Sequence, residues 1–226
     1  MKKIYRVLII ENDNLMIDAY KHAFSCIEKE FGNILFVLDL VRSHDEMALN
    51  KIKKASKNNN PEMIFLEIPL SHSDYNKVIK RECLGVKINK FLPNTKVIVS
   101  TKFSNNNMLH YIIKSINPSG LIIKSDVGFD DIIYAIKDVL GNKTYYSQTV
   151  LQYFKNKVKH DIVLDHIDTL ILNEISNGSK MKELLQLVPL TKSGIEKRKR
   201  LIKSSFKVSL DNDRDMIIAA KEKGFI

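Results

Sequence analysis

No apolar run in this chain approaches the roughly 18 to 20 residues that a bilayer-spanning helix requires. The opening MKKIYRVLII passes straight into an acidic turn without a small-residue cleavage site. Both absences predict a cytoplasmic chain that engages no membrane. Cysteine is scarce: Cys26 and Cys83 lie far apart, without histidine at metal-ligand spacing, in contexts where a reduced, buried thiol is expected. The six histidines, His22, His44, His72, His110, His160 and His166, are scattered and read as surface or boundary residues. A Gly-rich phosphate loop, an HExxH pair and a nucleophile elbow are all missing. These absences predict neither an enzyme nor a metal site and turn the search toward binding.

What is present begins with charge. Lysine and arginine outnumber acidic residues 36 to 26, a formal +10, which favours a polyanionic partner such as nucleic acid. Before Leu151 there are 21 basic and 16 acidic residues, and from Leu151 onward 15 and 10. Both parts therefore carry about the same excess, but the second is half as long and about twice as densely charged. With 44% hydrophobic residues, the 226-residue chain is long enough for one large or two ordinary domains.

From Lys3 to Ile123 short apolar runs alternate with longer amphipathic stretches, the pattern of a parallel sheet with helices on both faces. The runs Ile4–Ile10, Ile34–Leu40, Met63–Ile68, Lys96–Ser100 and Gly120–Ile123 predict five strands. Leu15–Glu30 and Asp130–Leu140 are the clearest helices; in the second, Ile132, Ile133, Ala135, Ile136 and Val139 keep a 3.6-residue stripe. Such a sheet carries its functional loops at the carboxyl ends of the strands. Those ends hold Glu11, Asn12 and Asp13, then Glu67, then Ser100 and Thr101, then Lys124.

In that order, VLIIENDNLM resembles the first strand and acidic turn of response-regulator receiver domains, PEMIFLEIPL their phosphoacceptor strand, KVIVSTK their switch strand and GLIIKSD their lysine strand. The resemblance spans about 140 residues and implies a flavodoxin-like (βα)5 receiver with a five-stranded parallel sheet over 1–143. It also implies roles. Glu11 and Asn12 align with the acidic pair that holds magnesium, Glu67 with the acceptor aspartate, Thr101 with the switch hydroxyl and Lys124 with the pairing lysine. Two of the five depart from the pattern. Asparagine at 12 keeps an oxygen but loses a charge, which weakens a magnesium site without abolishing it. Asp13, one residue along, is expected to point elsewhere. Glutamate at 67 moves the carboxylate away from the attacking position, so ordinary phosphotransfer is not expected. Two readings of Glu67 stand side by side. It imitates part of a phosphoaspartate by reaching toward Lys124 and Thr101, or it marks a decayed pocket that maintains fold and dimer.

After Gly141 the strand pattern ends, and residues 144–163 read as a tether containing a short helix near Ser147–Asn156. Over 164–226 four helices are predicted: Asp165–Ser176, Lys180–Val188, Lys192–Ser205 and Asp211–Lys223. Gly178 stops the first, Pro189 follows the second and Asp211 caps the fourth. The second and third, joined by Pro189-Leu190-Thr191, have the layout of a helix-turn-helix. With Ile195 at the centre of the buried face, a 100-degree step buries Ile202 and Phe206 and exposes Ser193, Glu196, Lys197 and Arg200.

The stretch PLTKSGIEKRKRLIKSSFKV resembles the recognition region of LuxR/NarL-type modules, and the closing MIIAAKEKGFI matches as well. The implied DNA-binding set is Lys192, Ser193, Glu196, Lys197, Arg198, Lys199, Arg200 and Lys203. Within it Glu196, Lys197 and Arg200 align with groove-facing positions, and Arg198 with a histidine near the DNA backbone. A receiver followed by such a reader implies a transcription regulator of the two-component type. Its expected partners are double-stranded DNA, a second copy of itself as homodimer, and a sensor kinase or other docking protein. The competing reading is a degenerate receiver that docks a protein or senses a small ligand, with Lys124 and Thr101 receiving an anion.

Overall fold

Lys3–Ile10 forms β1, and its second half, Val7-Leu8-Ile9-Ile10, is wholly buried. A strand covered on both faces has no polar alternation, so it reads as an unbroken apolar run. β3 (Met63–Glu67), β4 (Lys96–Thr101) and β5 (Gly120–Ile123) follow the same rule, while β2 (Ile34–Val41) alternates because it lies at the sheet edge. All strands among the described residues are parallel, in the order β2-β1-β3-β4-β5-β6. The computed structural model describes residues 2–42, 46–58, 60–68, 84–102, 104, 106–159, 164–223 and 225–226. Cys83, His44, His72 and His160 lie outside the described residues.

The sixth strand, β6 (Tyr145–Tyr146), corrects the five-stranded expectation. The Tyr145 N–H donates to the Ser119 carbonyl (3.1 Å) and the Ser147 N–H to that of Leu121 (3.0 Å), which adds two residues to the β5 edge. Two residues carry no period, so the segment read as tether.

Helix α1 (Asn14–Phe31) starts where the Asp13 carboxylate accepts from the Leu15 N–H, and stops at Gly32, whose φ of 69° is left-handed. Its buried stripe is Ile17, Tyr20, Ala23, Phe24 and Ile27. Helix α5 (Phe129–Leu140) turns Ile132, Ala135, Ile136 and Val139 into the same core. The sheet contributes Val7, Ile9, Phe36, Met63, Phe65, Ile98 and Ile122 to that layer. Helices α2 (Glu46–Asn58), α3 (Leu84–Phe91) and α4 (Asn106–Ile116) complete the order, and Asn89 of α3 donates to the Ile116 carbonyl (2.5 Å). Cys26 is a free thiol but only half-buried, on the flank of α1 instead of in its core.

Two compact units result: Met1–Ser104 with Tyr111–Leu151, and Asn105–His110 with Gln152–Ile226. Helix α6 (Gln148–Lys159) precedes four helices: α7 (His166–Ser176), α8 (Met181–Leu187), α9 (Lys192–Phe206) and α10 (Arg214–Glu222). At the start of α7, Asp165 and Asp168 each accept from the other's N–H (2.9 and 3.1 Å), a reciprocal cap. Gly178, at φ 88°, allows the turn into α8 that a side chain would resist. One cluster buries Leu170, Ile171, Leu184, Val188 and Ile195; the other buries Leu172, Ile202, Phe206, Met216, Ala219 and Ala220. Asp211 does not cap the last helix. It accepts from the Ser209 hydroxyl (2.9 Å), Asp213 precedes Arg214, and Asn212 accepts from the Asp215 N–H (3.1 Å). Three polar residues in a row, Asp211-Asn212-Asp213, gave the sequence no means of choosing.

Candidate functional site

The register of the sheet assembles the first site. Ile10 pairs with Leu66 and Glu67 with Ser100, so the carboxyl ends of β1, β3 and β4 finish side by side with that of β5. Glu11, Glu67, Thr101 and Lys124 meet there, all buried at the side chain or nearly so. The Lys124 ammonium donates to Glu11 Oε1 at 2.8 Å and to Glu67 Oε1 at 2.7 Å, a single cation between two carboxylates. Backbone N–H groups complete the set. Asn12 donates to Glu67 Oε2 (3.2 Å) and to Glu11 Oε1 (3.0 Å), and Asp13 donates to Glu11 Oε1 (2.9 Å). The Ser100 hydroxyl donates to Glu11 Oε2 (3.3 Å), and that of Thr101 to the Ile68 carbonyl (3.2 Å). Asn12 contributes its backbone, with the residue itself exposed, and Asp13 faces away to cap α1 and to pair with Lys102 (3.5 Å).

The electrostatics follow from two acids sharing one base. Burial, opposed by Lys124 and reinforced by Glu67, holds the Glu11 carboxyl above its ordinary value. Burial also works against the Lys124 charge, but its two carboxylate partners outweigh it and hold the ammonium above its ordinary value. Next to Lys124 the chain makes a 3-10 turn, Lys124–Asp126, which is tied to the start of α6. The Ser147 hydroxyl accepts from the Ile123 N–H (3.0 Å) and donates to Asp126 Oδ2 (2.9 Å). The Thr149 N–H and hydroxyl donate to the same carboxylate (2.7 and 2.9 Å).

The second site is the outward face of α9. Thr191 caps its start by accepting from the Gly194 N–H (3.2 Å). Ile195, Ile202 and Phe206 are buried, while Lys192, Ser193, Lys197 and Arg200 are exposed and Glu196 is half-exposed. Lys203 departs from the expected basic face. It is 5% exposed, and its ammonium donates to the Leu210 carbonyl (3.1 Å) and pairs with Asp213 (2.8 Å). Lys199 also turns inward, 2.7 Å from Asp213 and 3.4 Å from Glu196. Arg198 is bound by Asp165 and by Asp168 (3.0 Å), which together hold its charge more firmly than usual. The wheel places Lys199 and Lys203 at the margin of the buried face, and the side-chain type alone does not reveal an acid brought in from the next loop.

No family model matches the chain, and no curated protein matches it in sequence. Solved structures do match in fold. The two-component response regulator RcsB–DNA complex covers 97% of this chain and 98% of its own, at TM-score 0.58 and 14% identity. A structure of two RcsB dimers bound to two parallel DNAs gives the same coverage and TM-score at 15% identity. An RcsB response regulator of Salmonella typhimurium covers 96% and 98%, at TM-score 0.52 and 15% identity. This is the fold of a full-length response regulator. The match runs through both the sheet unit and the helical unit, over at least 96% of each chain.

Contributors to these sites that escaped the sequence reading include Ser147, Thr149 and Asp126 beside the pocket, and Asp165, Asp168 and Asp213 beside α9. Each is a common polar residue in a turn or at a helix start, and only the fold brings it to its partner.

Proposed function

We propose that this chain is a DNA-binding transcription regulator of the response-regulator type whose receiver unit works without aspartyl phosphorylation. The observation that carries the DNA-binding half is the exposed quartet Lys192, Ser193, Lys197 and Arg200 on the second helix of a helix-turn-helix, within a fold shared with RcsB structures that hold DNA. The RcsB dimers on DNA support the further reading that two copies of this chain bind paired half-sites.

The phosphorylation-independent half rests on Glu67. Its Oε1 accepts from Lys124 and its Oε2 from the Asn12 N–H, so both oxygens are committed within the protein. The donor set does not suit a divalent cation either: an ammonium occupies the space between Glu11 and Glu67, and Asn12 supplies no second acid. The pocket is thus an internally neutralised version of a receiver site. Incubating the protein with a small phosphodonor and magnesium is expected to leave its intact mass unchanged, and a stoichiometric phosphoryl adduct at Glu67 contradicts the reading.

Selection from sheared genomic DNA tests the function directly. Untreated protein is expected to enrich a defined set of fragments, with affinity that falls steeply as salt rises; no enrichment at any salt concentration refutes DNA reading by this chain. On an enriched site, Arg200→Ala is expected to cost about 1–3 kcal/mol and relax base preference, whereas Lys192→Ala weakens selected and random duplexes alike. Equal losses on both DNAs for both variants count against the assignment of roles.

A further inference from the structure

The recognition helix carries more charge than it presents. Between Lys192 and Lys203 stand six basic residues, of which Lys192, Lys197 and Arg200 are exposed and have no ion pair among the described residues. The other three are engaged by acids from outside the helix. On one flank Arg198 is held by the cap of α7. On the other, the two oxygens of Asp213 take one lysine each: Oδ2 takes Lys199 and Oδ1 takes Lys203. Burial opposes the Asp213 charge, yet the two lysines outweigh it and keep the carboxyl below its ordinary value. The side chains of Lys199 and Lys203 are 12% and 6% exposed, so the arrangement faces inward instead of lying open on the surface.

Lysines that reach phosphate add affinity for every sequence equally, while base contacts discriminate among sequences. A reader that withholds cations from phosphate therefore lowers its affinity for all duplexes by a common factor and leaves discrimination to its base contacts. Resting on the DNA-reading function above, we propose that Asp213 is a positioning residue that sets how many cations the helix offers to phosphate: it withdraws Lys199 and Lys203 from the duplex and leaves Lys192, Lys197 and Arg200 to meet it.

The test uses the full chain on one enriched fragment and on random duplex, with affinity measured across a salt series. Asp213→Asn, close to isosteric, is expected to bind selected and random duplex alike more tightly, with a salt slope steeper by about 1 for each released lysine. The ratio of selected to random affinity stays near that of the unaltered chain. Asp213→Glu retains the wild-type slope, and the triple variant Asp213→Asn/Lys199→Gln/Lys203→Gln returns to it. In the otherwise unaltered chain, Lys199→Gln leaves the slope unchanged while Lys197→Gln lowers it by about 1. That comparison stands even where Asp213→Asn folds poorly. Parallel weakening of Asp213→Asn on both DNAs at unchanged slope makes Asp213 merely structural and overturns the proposal, as does an equal fall in slope for Lys199→Gln and Lys197→Gln. A wild-type chain with no preference for any fragment removes the DNA-reading function itself, a result distinct from either.

Discussion

Lys124→Met is expected to lower the stability of the first unit by about 3–5 kcal/mol, the range seen when one member of a buried ion pair is removed. The ammonium side chain is 7% exposed, and those of its partners Glu11 and Glu67 are 1% and 8% exposed. Without it two carboxylates are left facing each other, received by neutral donors that include Ser100 and the N–H groups of Asn12 and Asp13. The sign of the pH dependence is fixed by the same geometry. A carboxyl whose folded value already lies above its ordinary one, as that of Glu11 does, is pushed further up when the ammonium goes. The penalty is then absent where the carboxyls are protonated in folded and unfolded chains alike, and it grows as pH rises through the folded value. Urea unfolding at about pH 4 and pH 7.5 measures the difference. An equal loss at both pH values means that charge pairing is not what Lys124 supplies. Glu67→Gln in the same chain is expected to restore part of the loss, because it removes one of the two stranded charges.

A comparable effect is expected in the second unit from Phe206→Ala. The ring is 4% exposed, lies 5.3 Å from the ring of Phe225, and closes the cluster of Leu172, Ile202, Met216, Ala219 and Ala220. Truncating a buried phenylalanine costs about 3–5 kcal/mol, which is comparable to the whole stability of a small helical domain. Because Phe206 is the last residue of α9, the loss falls on the platform that orients Lys197 and Arg200. Helical circular dichroism and affinity for an enriched fragment are expected to fall together. Leu201→Ala, at a residue 54% exposed on the same helix, serves as the comparison and leaves the helical signal near that of the unaltered protein. A Phe206→Ala chain that melts like the Leu201→Ala chain contradicts the burial argument.

The strands were legible because a parallel sheet covered on both faces needs unbroken apolar runs, and Val7–Ile10, Met63–Leu66 and Val97–Val99 are such runs. Their polar terminators were legible for the same reason: Glu11, Glu67 and Lys124 each stop a run at the point where the chain leaves the core. Helix α9 was legible from Ile195, Ile202 and Phe206, which are spaced to share one face. What was not legible depends on pairings across loops. Asp213 stands ten residues beyond Lys203 and on another element, so neither its side chain nor that of the lysine announces the ion pair. The expectation that six basic residues face DNA counted side chains by type, while tertiary structure assigns three of them to internal partners. At the pocket, sequence reasoning anticipated the reach of Glu67 toward Lys124 but did not foresee that Glu11 shares the same ammonium.

The Ser147 hydroxyl and the Asp126 carboxylate join the turn that begins at Lys124 to the first turn of α6 through four hydrogen bonds. Turn and helix start are thus tied together on both sides of Gln148, with Lys124 at the far end of the turn. Loss of the Asp126 carboxylate would remove three of the four bonds at once.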